Sequence, residues 1–300
     1  MLSCPSSSVV GVRIGVLILP EHRWETAVEK WLRAEALGFD HAWTYDHISW
    51  DRLRDSPWFG SVPLLAAVGV MTSRIRLGTL VASPNFRHPV PFAQELVTLD
   101  DLSRGRYTLG IGSGSQGSDA TVLGNREWSL GERTDRLEEF VDLLDRLLRH
   151  RHVTYTGRFW SAVEAGTEPS CVQQPRIPFA IAATGPRSLR VAARHASTWV
   201  TNGDRSHTGP ALDPEQGARV VAKQTRLLVE ACEKEGRDPA SIDRLVLTGS
   251  RLDSGLASRE TFITATEAYA SVGVTDLVVH WPRPNEPYAG DEEILRHIVA

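Results

Sequence analysis

The feature that most restricts this chain is an alternation of strand and helix that runs through nearly its whole length. Val12–Leu19 is an apolar, β-branched run stopped by Pro20. Glu25–Leu37 then carries Ala27, Val28, Trp31, Leu32 and Leu37 at helical spacing and ends at Gly38. Further strands are predicted at Asp40–Tyr45, Ile75–Ala82, Tyr107–Gly112, Ile177–Ala182, Thr198–Thr201, Arg244–Thr248 and Thr275–His280. Further helices are predicted at Pro63–Met71, Pro91–Leu102, Arg133–Arg149, Pro186–His195, Pro214–Glu235, Arg259–Ala270 and Asp291–Val299. Regular alternation of this kind calls for a parallel sheet. Eight such units in 300 residues match a closed barrel better than an open doubly wound sheet. The expected fold class is α/β, a single (β/α)8 TIM barrel.

One stretch breaks the pattern. In His152–Arg176, Val153–Tyr155 and Phe159–Trp160 flank Thr156 and Gly157, which reads as a small hairpin inside an insertion between strands four and five. No linker or repeat divides the chain, so one barrel domain is expected over residues 11–300, preceded by a Ser-rich loose tail over residues 1–10. That tail lacks the basic start and longer apolar stretch of a signal peptide.

Composition removes several function classes. A net charge of −4 gives no electrostatic case for a nucleic-acid partner. No apolar run is long enough to suggest a transmembrane helix. The 3 cysteines, Cys4, Cys171 and Cys232, are widely spaced and suggest neither a disulfide framework nor a metal motif, which fits the cytoplasm. The 10 histidines are scattered without metal-ligand spacing, so no metal is expected. No G-x-S-x-G elbow is present, and none of Lys30, Lys223 and Lys234 lies on a predicted strand, which argues against a hydrolase elbow and a Schiff-base aldolase.

A TIM barrel builds its active site from the loops that follow its strands. After strand two come Asp46, His47 and Trp50; strand three ends near Ser83; strand four runs into Gly112, Ser113, Gly114 and Ser115. Strand five leads to Thr184, Gly185, Pro186 and Arg187, strand seven to Ser250 and Arg251, and strand eight to His280, Trp281 and Arg283. A histidine at a strand end can transfer protons near neutral pH, or it can simply satisfy a loop carbonyl. The glycines at 112 and 114 let backbone approach a planar ligand, or they form an ordinary turn. Thr184–Arg187 opens a helix directly after a strand and suits a phosphate, although a plain capped helix with proline near its first position has the same sequence.

Several blocks of the chain together resemble the bacterial luciferase-like monooxygenase family. They are Ala34–Asp40 followed by Trp43–His47, Ser73–Thr79 followed by Arg87–Pro89, and Thr98–Arg106 followed by Leu109–Gly114. Gly131–Arg133, Val153–Gly157 and Gly185–Arg194 extend the resemblance, which covers roughly residues 11 to 285. The resemblance implies coenzyme F420, with FMN as the alternative, bound at the barrel mouth of a homodimer. It implies His47 as the catalytic residue beside Asp46, and a non-proline cis peptide at Leu80–Val81 backing the cofactor. It implies ring contacts from Ser83 and Gly112–Ser115, and phosphate contacts from Thr184, Gly185, Pro186 and Arg187. Trp50, Trp281 and Arg283 are candidates for the substrate pocket, and Arg251 and Arg283 for an anionic tail or substrate.

The chain departs from the family at Ser115, where deazaflavin sugar-phosphate dehydrogenases carry a catalytic glutamate, and at Ala196–Trp199, which differs from the usual turn before strand six. Three functions follow from the resemblance. The first is F420-dependent hydride transfer to or from a small organic molecule, with His47 and Asp46 handling the proton. The second is an FMN monooxygenase using oxygen. The third is a catalytically silent flavin-binding barrel, against which the retained strand-end polar residues argue.

Overall fold

In the computed structural model the alternation closes on itself. The structure describes residues 11–115 and 117–299; the expected tail over residues 1–10 lies outside the described residues. In chain order the elements begin with β1 (Arg13–Leu17), α1 (Trp24–Leu37), β2 (His41–Thr44), α2 (Ser61–Met71), β3 (Arg76–Ala82), α3 (Pro89–Leu102) and β4 (Tyr107–Ile111). A short helix α4 (Ser118–Thr121) and the long α5 (Leu130–Arg149) follow, then the hairpin β5 (Val153–Thr156) and β6 (Ser161–Ala165). The remainder is β7 (Phe179–Ala182), α6 (Pro186–His195), β8 (Thr198–Thr201), α7 (Pro214–Lys234), β9 (Asp243–Leu247), α8 (Arg259–Ala270), β10 (Asp276–His280) and α9 (Leu295–Ile298).

The barrel order is β1-β2-β3-β4-β7-β8-β9-β10, and β10 pairs back onto β1 in parallel, with Arg13 opposite Asp276 and Leu17 opposite His280. The β5–β6 hairpin is antiparallel and stands outside the barrel, between strands four and five of the closed sheet, as expected. Among the described residues no helix is long and apolar enough to cross a membrane.

Local signals account for most boundaries. Gly38 adopts φ 99° and its N–H returns to the last carbonyls of α1. The long helix α5 starts before the expected Arg133, because Ser129 and Glu132 form a reciprocal capping box. The expected closing helix over Asp291–Val299 is instead a 3-10 turn at Glu292–Ile294 that passes into the four-residue α9.

Strands buried on both faces generate two cores. The outer one packs Trp31, Phe92, Phe140, Trp199 and Tyr269 between barrel and helices. The inner one fills the barrel with Leu17, Trp43, Leu80, Val200, Leu245 and Val278. Beneath it, at the strand starts, the Trp43 indole donates to His41 Nδ1 at 2.7 Å, so His41 Nε2 carries the proton that faces Asp276 at 3.1 Å. Arg13 completes the cluster with bonds of 2.7 and 2.6 Å to both Asp276 oxygens. Burial opposes the Asp276 charge, but the bonds from His41 and Arg13 override it and hold the carboxyl well below the usual range. A Cβ on Gly15 would stand 1.9 Å from His41 Nδ1, so the cluster requires glycine there. This end of a TIM barrel serves stability, and the opposite end is open to chemistry.

Candidate active site

A cavity of about 360 Å³ lies at the strand ends, a volume suited to a small organic ligand. The consecutive strands β3, β4 and β7 supply one wall, made of small residues: Val81, Ser83, Gly112–Ser115, Ala182 and Thr184. The Leu80–Val81 peptide in this wall is cis, as the family resemblance implies. A Cβ on Gly112 would stand 3.0 Å from Val81 Cγ2 and 3.3 Å from Ala182 Cβ, so the wall is already closed at that point. Gly114 adopts φ +73°, and a Cβ there would come within 2.5 Å of Asn85 Nδ2. Its carbonyl accepts from Arg133 on α5 at 2.6 Å, which ties the loop to the helical layer.

The other wall is aromatic and cationic: Tyr45, Trp50, Tyr288, Arg52, Arg205 and Arg251. Trp50 lies parallel to both His47 and Tyr288, at 6.1 and 6.4 Å between ring centres. The Tyr45 hydroxyl stands 2.8 Å from His280 Nε2 and 3.1 Å from the Tyr288 hydroxyl. Burial pushes the His280 imidazole down to about 3 and the Tyr45 phenol well up, so both are neutral at physiological pH.

His47 occupies the loop after β2 and borders the cavity. Its carbonyl accepts from Trp58 Nε1 at 2.8 Å. Its Nδ1 is hydrogen-bonded to Asp119 Oδ2 of α4. The other Asp119 oxygen accepts from Ile48 N at 2.8 Å and Ser49 N at 2.9 Å.

The expected partnership of Asp46 with His47 does not form. Neighbouring residues of an extended chain point to opposite sides, and Asp46 meets Arg87 instead, through bonds of 2.8 and 2.7 Å, with Ser61 Oγ donating at 2.6 Å. Burial works against the Arg87 charge, but the bond to Asp46 outweighs it and raises the guanidinium above its ordinary value.

Three further expected side chains, those of Trp281, Arg283 and Arg187, turn away from the cavity. Trp281 is 4% exposed and packs under Lys30 and Arg33 of α1, because the residue after His280 faces out of the barrel rather than into it. Arg283 forms a bidentate pair with Glu21 at 2.7 Å for both bonds, locking the loop after β10 to the loop after β1, away from the cavity. The Arg187 guanidinium turns to Asp135 and Glu138 of α5, while Thr184 and Ser188 line the cavity; Gly185 and Pro186 form the entry to α6.

Asp46, Trp50, Ser83, Gly112, Ser113, Gly114, Ser115 and Thr184 do border the cavity, as do Leu80 and Val81. Sequence reasoning missed Asp119, Tyr45, Arg52, Arg205 and Tyr288. Tyr45 carried a usable signal, its place at the end of a barrel strand. Arg205 and Tyr288 sit in irregular segments, and Arg52 and Asp119 in the helical turns Asp51–Leu53 and Ser118–Thr121, which are too short to show a periodic pattern.

The sequence matches the luciferase-like monooxygenase family over residues 8–249. It is 31% identical over 222 residues to the F420-dependent glucose-6-phosphate dehydrogenase of Microbacterium testaceum (strain StLB037), covering 71% of this chain and 60% of that protein. It is 31% identical over 316 aligned positions to the protein of the same name from Beutenbergia cavernae, covering 89% and 91%. The match thus spans about three fifths of the length of the first of these relatives. The coenzyme F420 dependent tetrahydromethanopterin reductase from Methanopyrus kandleri superposes with a TM-score of 0.73 at 20% identity, over 96% of this chain and 97% of that one, a likeness of fold. With a barrel of that shape and a sequence match across most of its length, the chain belongs to the luciferase-like monooxygenase family.

Proposed function

We propose that the chain is a coenzyme F420-dependent oxidoreductase that moves a hydride between the deazaflavin and a small organic substrate, with His47 handling the accompanying proton. The observation that carries this reading is a cavity in which a wall of small residues faces an imidazole, in a chain whose matched relatives bear F420-dependent names. The residues present fit such a cofactor. Gly112 and Gly114 keep side chains off the wall, and Ser83, Ser113 and Ser115 offer hydroxyls along it. Thr184, Ser188 and the first-turn N–H groups of Arg187 and Ser188 on α6 suit an anionic tail.

When bound, the deazaflavin supplies the hydride acceptor or donor. His47 accepts a proton when neutral and delivers one when charged. Trp50 and Tyr288 bound the substrate side and shield it from water, and Arg52, Arg205 and Arg251 give that side a positive field. Ser115 in place of an acid sets the substrate apart from the sugar phosphates of the relatives. The same reading includes a cytoplasmic homodimer, the dimer being testable by sedimentation.

Titration of the purified protein with F420 and with FMN, followed by fluorescence and absorbance, tests the proposal. Saturable F420 binding without FMN binding is expected, and His47→Ala should lower turnover far more than F420 affinity. Binding of neither cofactor, or FMN binding with oxygen consumption, would overturn it.

A further inference from the structure

We infer that Asp119 is the positioning residue that sets the tautomer of His47, and with it the chemistry of the ring nitrogen left for substrate; this rests on the proton role given to His47 above. Asp119 is 5% exposed, and its carboxylate divides its oxygens between two tasks. Oδ1 accepts from the backbone N–H groups of Ile48 at 2.8 Å and Ser49 at 2.9 Å. Oδ2 faces His47 Nδ1. An ionised carboxylate can only accept. In the neutral ring, therefore, Nδ1 carries the hydrogen and Nε2 is a bare acceptor.

Among the described residues, the groups around His47 offer it no different arrangement. Asp46 is held by Arg87 and Ser61. Tyr45 meets the imidazole with its ring edge-on, and its hydroxyl is engaged with His280 and Tyr288. Trp50 presents a ring face. The same carboxylate also joins two loops. Asp119 lies just beyond Ser115 in the chain, and its three bonds hold the segment after β2 against the segment after β4. The imidazole is thereby registered against the Gly112–Ser115 wall across the cavity.

Asp119→Asn separates the tautomer role from the tethering role. The amide oxygen keeps the bonds from Ile48 and Ser49, while the amide NH2 now donates toward Nδ1. The ring answers by becoming an acceptor at Nδ1 and carrying its hydrogen at Nε2, the reverse of the native state. Nitrogen-15 NMR of histidine-labelled protein, with the ring neutral and the His47 signals assigned by their loss in His47→Gln, reads this directly. The wild type is expected to show a protonated Nδ1 and a bare Nε2, and Asp119→Asn the opposite. Asp119→Ala, which removes the partner altogether, should give a mixture.

In the F420 assay, Asp119→Asn should lower kcat on the order of 10²–10⁴-fold with little change in F420 affinity, the size of a lost proton-transfer step. A native ring protonated at Nε2, or the same tautomer in the wild type and in both variants, would overturn the inference. The NMR readout needs no cofactor. If F420 fails to bind, the proposed function falls and the tautomer result still stands.

Discussion

Asp46→Asn removes one charge from a pair in which both partners are sequestered: 3% of the Asp46 side chain and 13% of the Arg87 side chain are exposed. Arg87 would keep one bond to the amide oxygen and its 3.1 Å contact with Glu95, whose side chain is 42% exposed and weakened by solvent. Removing one partner of a buried pair typically costs about 3–5 kcal/mol. The two remaining contacts place this variant near the lower end, about 3 kcal/mol. At about 2 cal/mol/K of unfolding entropy per residue, that corresponds to a Tm drop on the order of 5 °C for a chain of this size. Calorimetry and urea denaturation measure it. Combining the variant with Arg87→Met should cost clearly less than the sum of the two single changes, because the orphaned charge is gone. Turnover, assayed well below the lowered Tm, should fall less than tenfold, since Asp46 borders the cavity but bonds Arg87 and Ser61, not His47. A stability loss under about 1 kcal/mol together with a turnover loss of a hundredfold or more would refute this reasoning and return Asp46 to the reacting atoms.

Two other perturbations probe the walls of the cavity. Burial lowers the His280 imidazole from 6.5 to about 3, so the unfolded chain takes up its proton first. The stability this residue contributes is whole above pH ~6.5 and lost as pH falls from there toward 3, with a slope of at most about 1.4 kcal/mol per pH unit. His280→Gln should flatten the urea midpoint against pH in that window, and an unchanged slope would count against a buried neutral imidazole. Gly114→Ala forces a side chain into a left-handed position, a cost of about 1–2 kcal/mol, and drives its Cβ toward Asn85. F420 affinity should fall at least tenfold while circular dichroism stays native; an unaltered Kd would remove this loop from the cofactor site.

The barrel and the loops that carry the site are encoded in local patterns of the chain. Pro186–His195, Thr198–Thr201 and Arg259–Ala270 occur within the boundaries their residues predict, and the hairpin falls between the fourth and fifth barrel strands. These features are written in consecutive residues: periodicity, a proline at a helix start, a glycine past a helix end. His47, the Gly112–Ser115 loop and Thr184 were legible for a related reason, since the end of a barrel strand marks the mouth whatever the partners are.

Which side chain each of these meets is settled by barrel closure alone. Asp46 adjoins His47 in sequence, yet the carboxylate on His47 comes from 72 residues away. Arg283 lies in a loop at the mouth, yet it is held by Glu21 from 262 residues away. Arg187 opens the expected anion-binding helix, yet it turns to Asp135 of α5. Charged side chains are long and take the best partner within reach. Barrel closure sets that reach by bringing loops from distant strands side by side, and no local pattern records which loops those are.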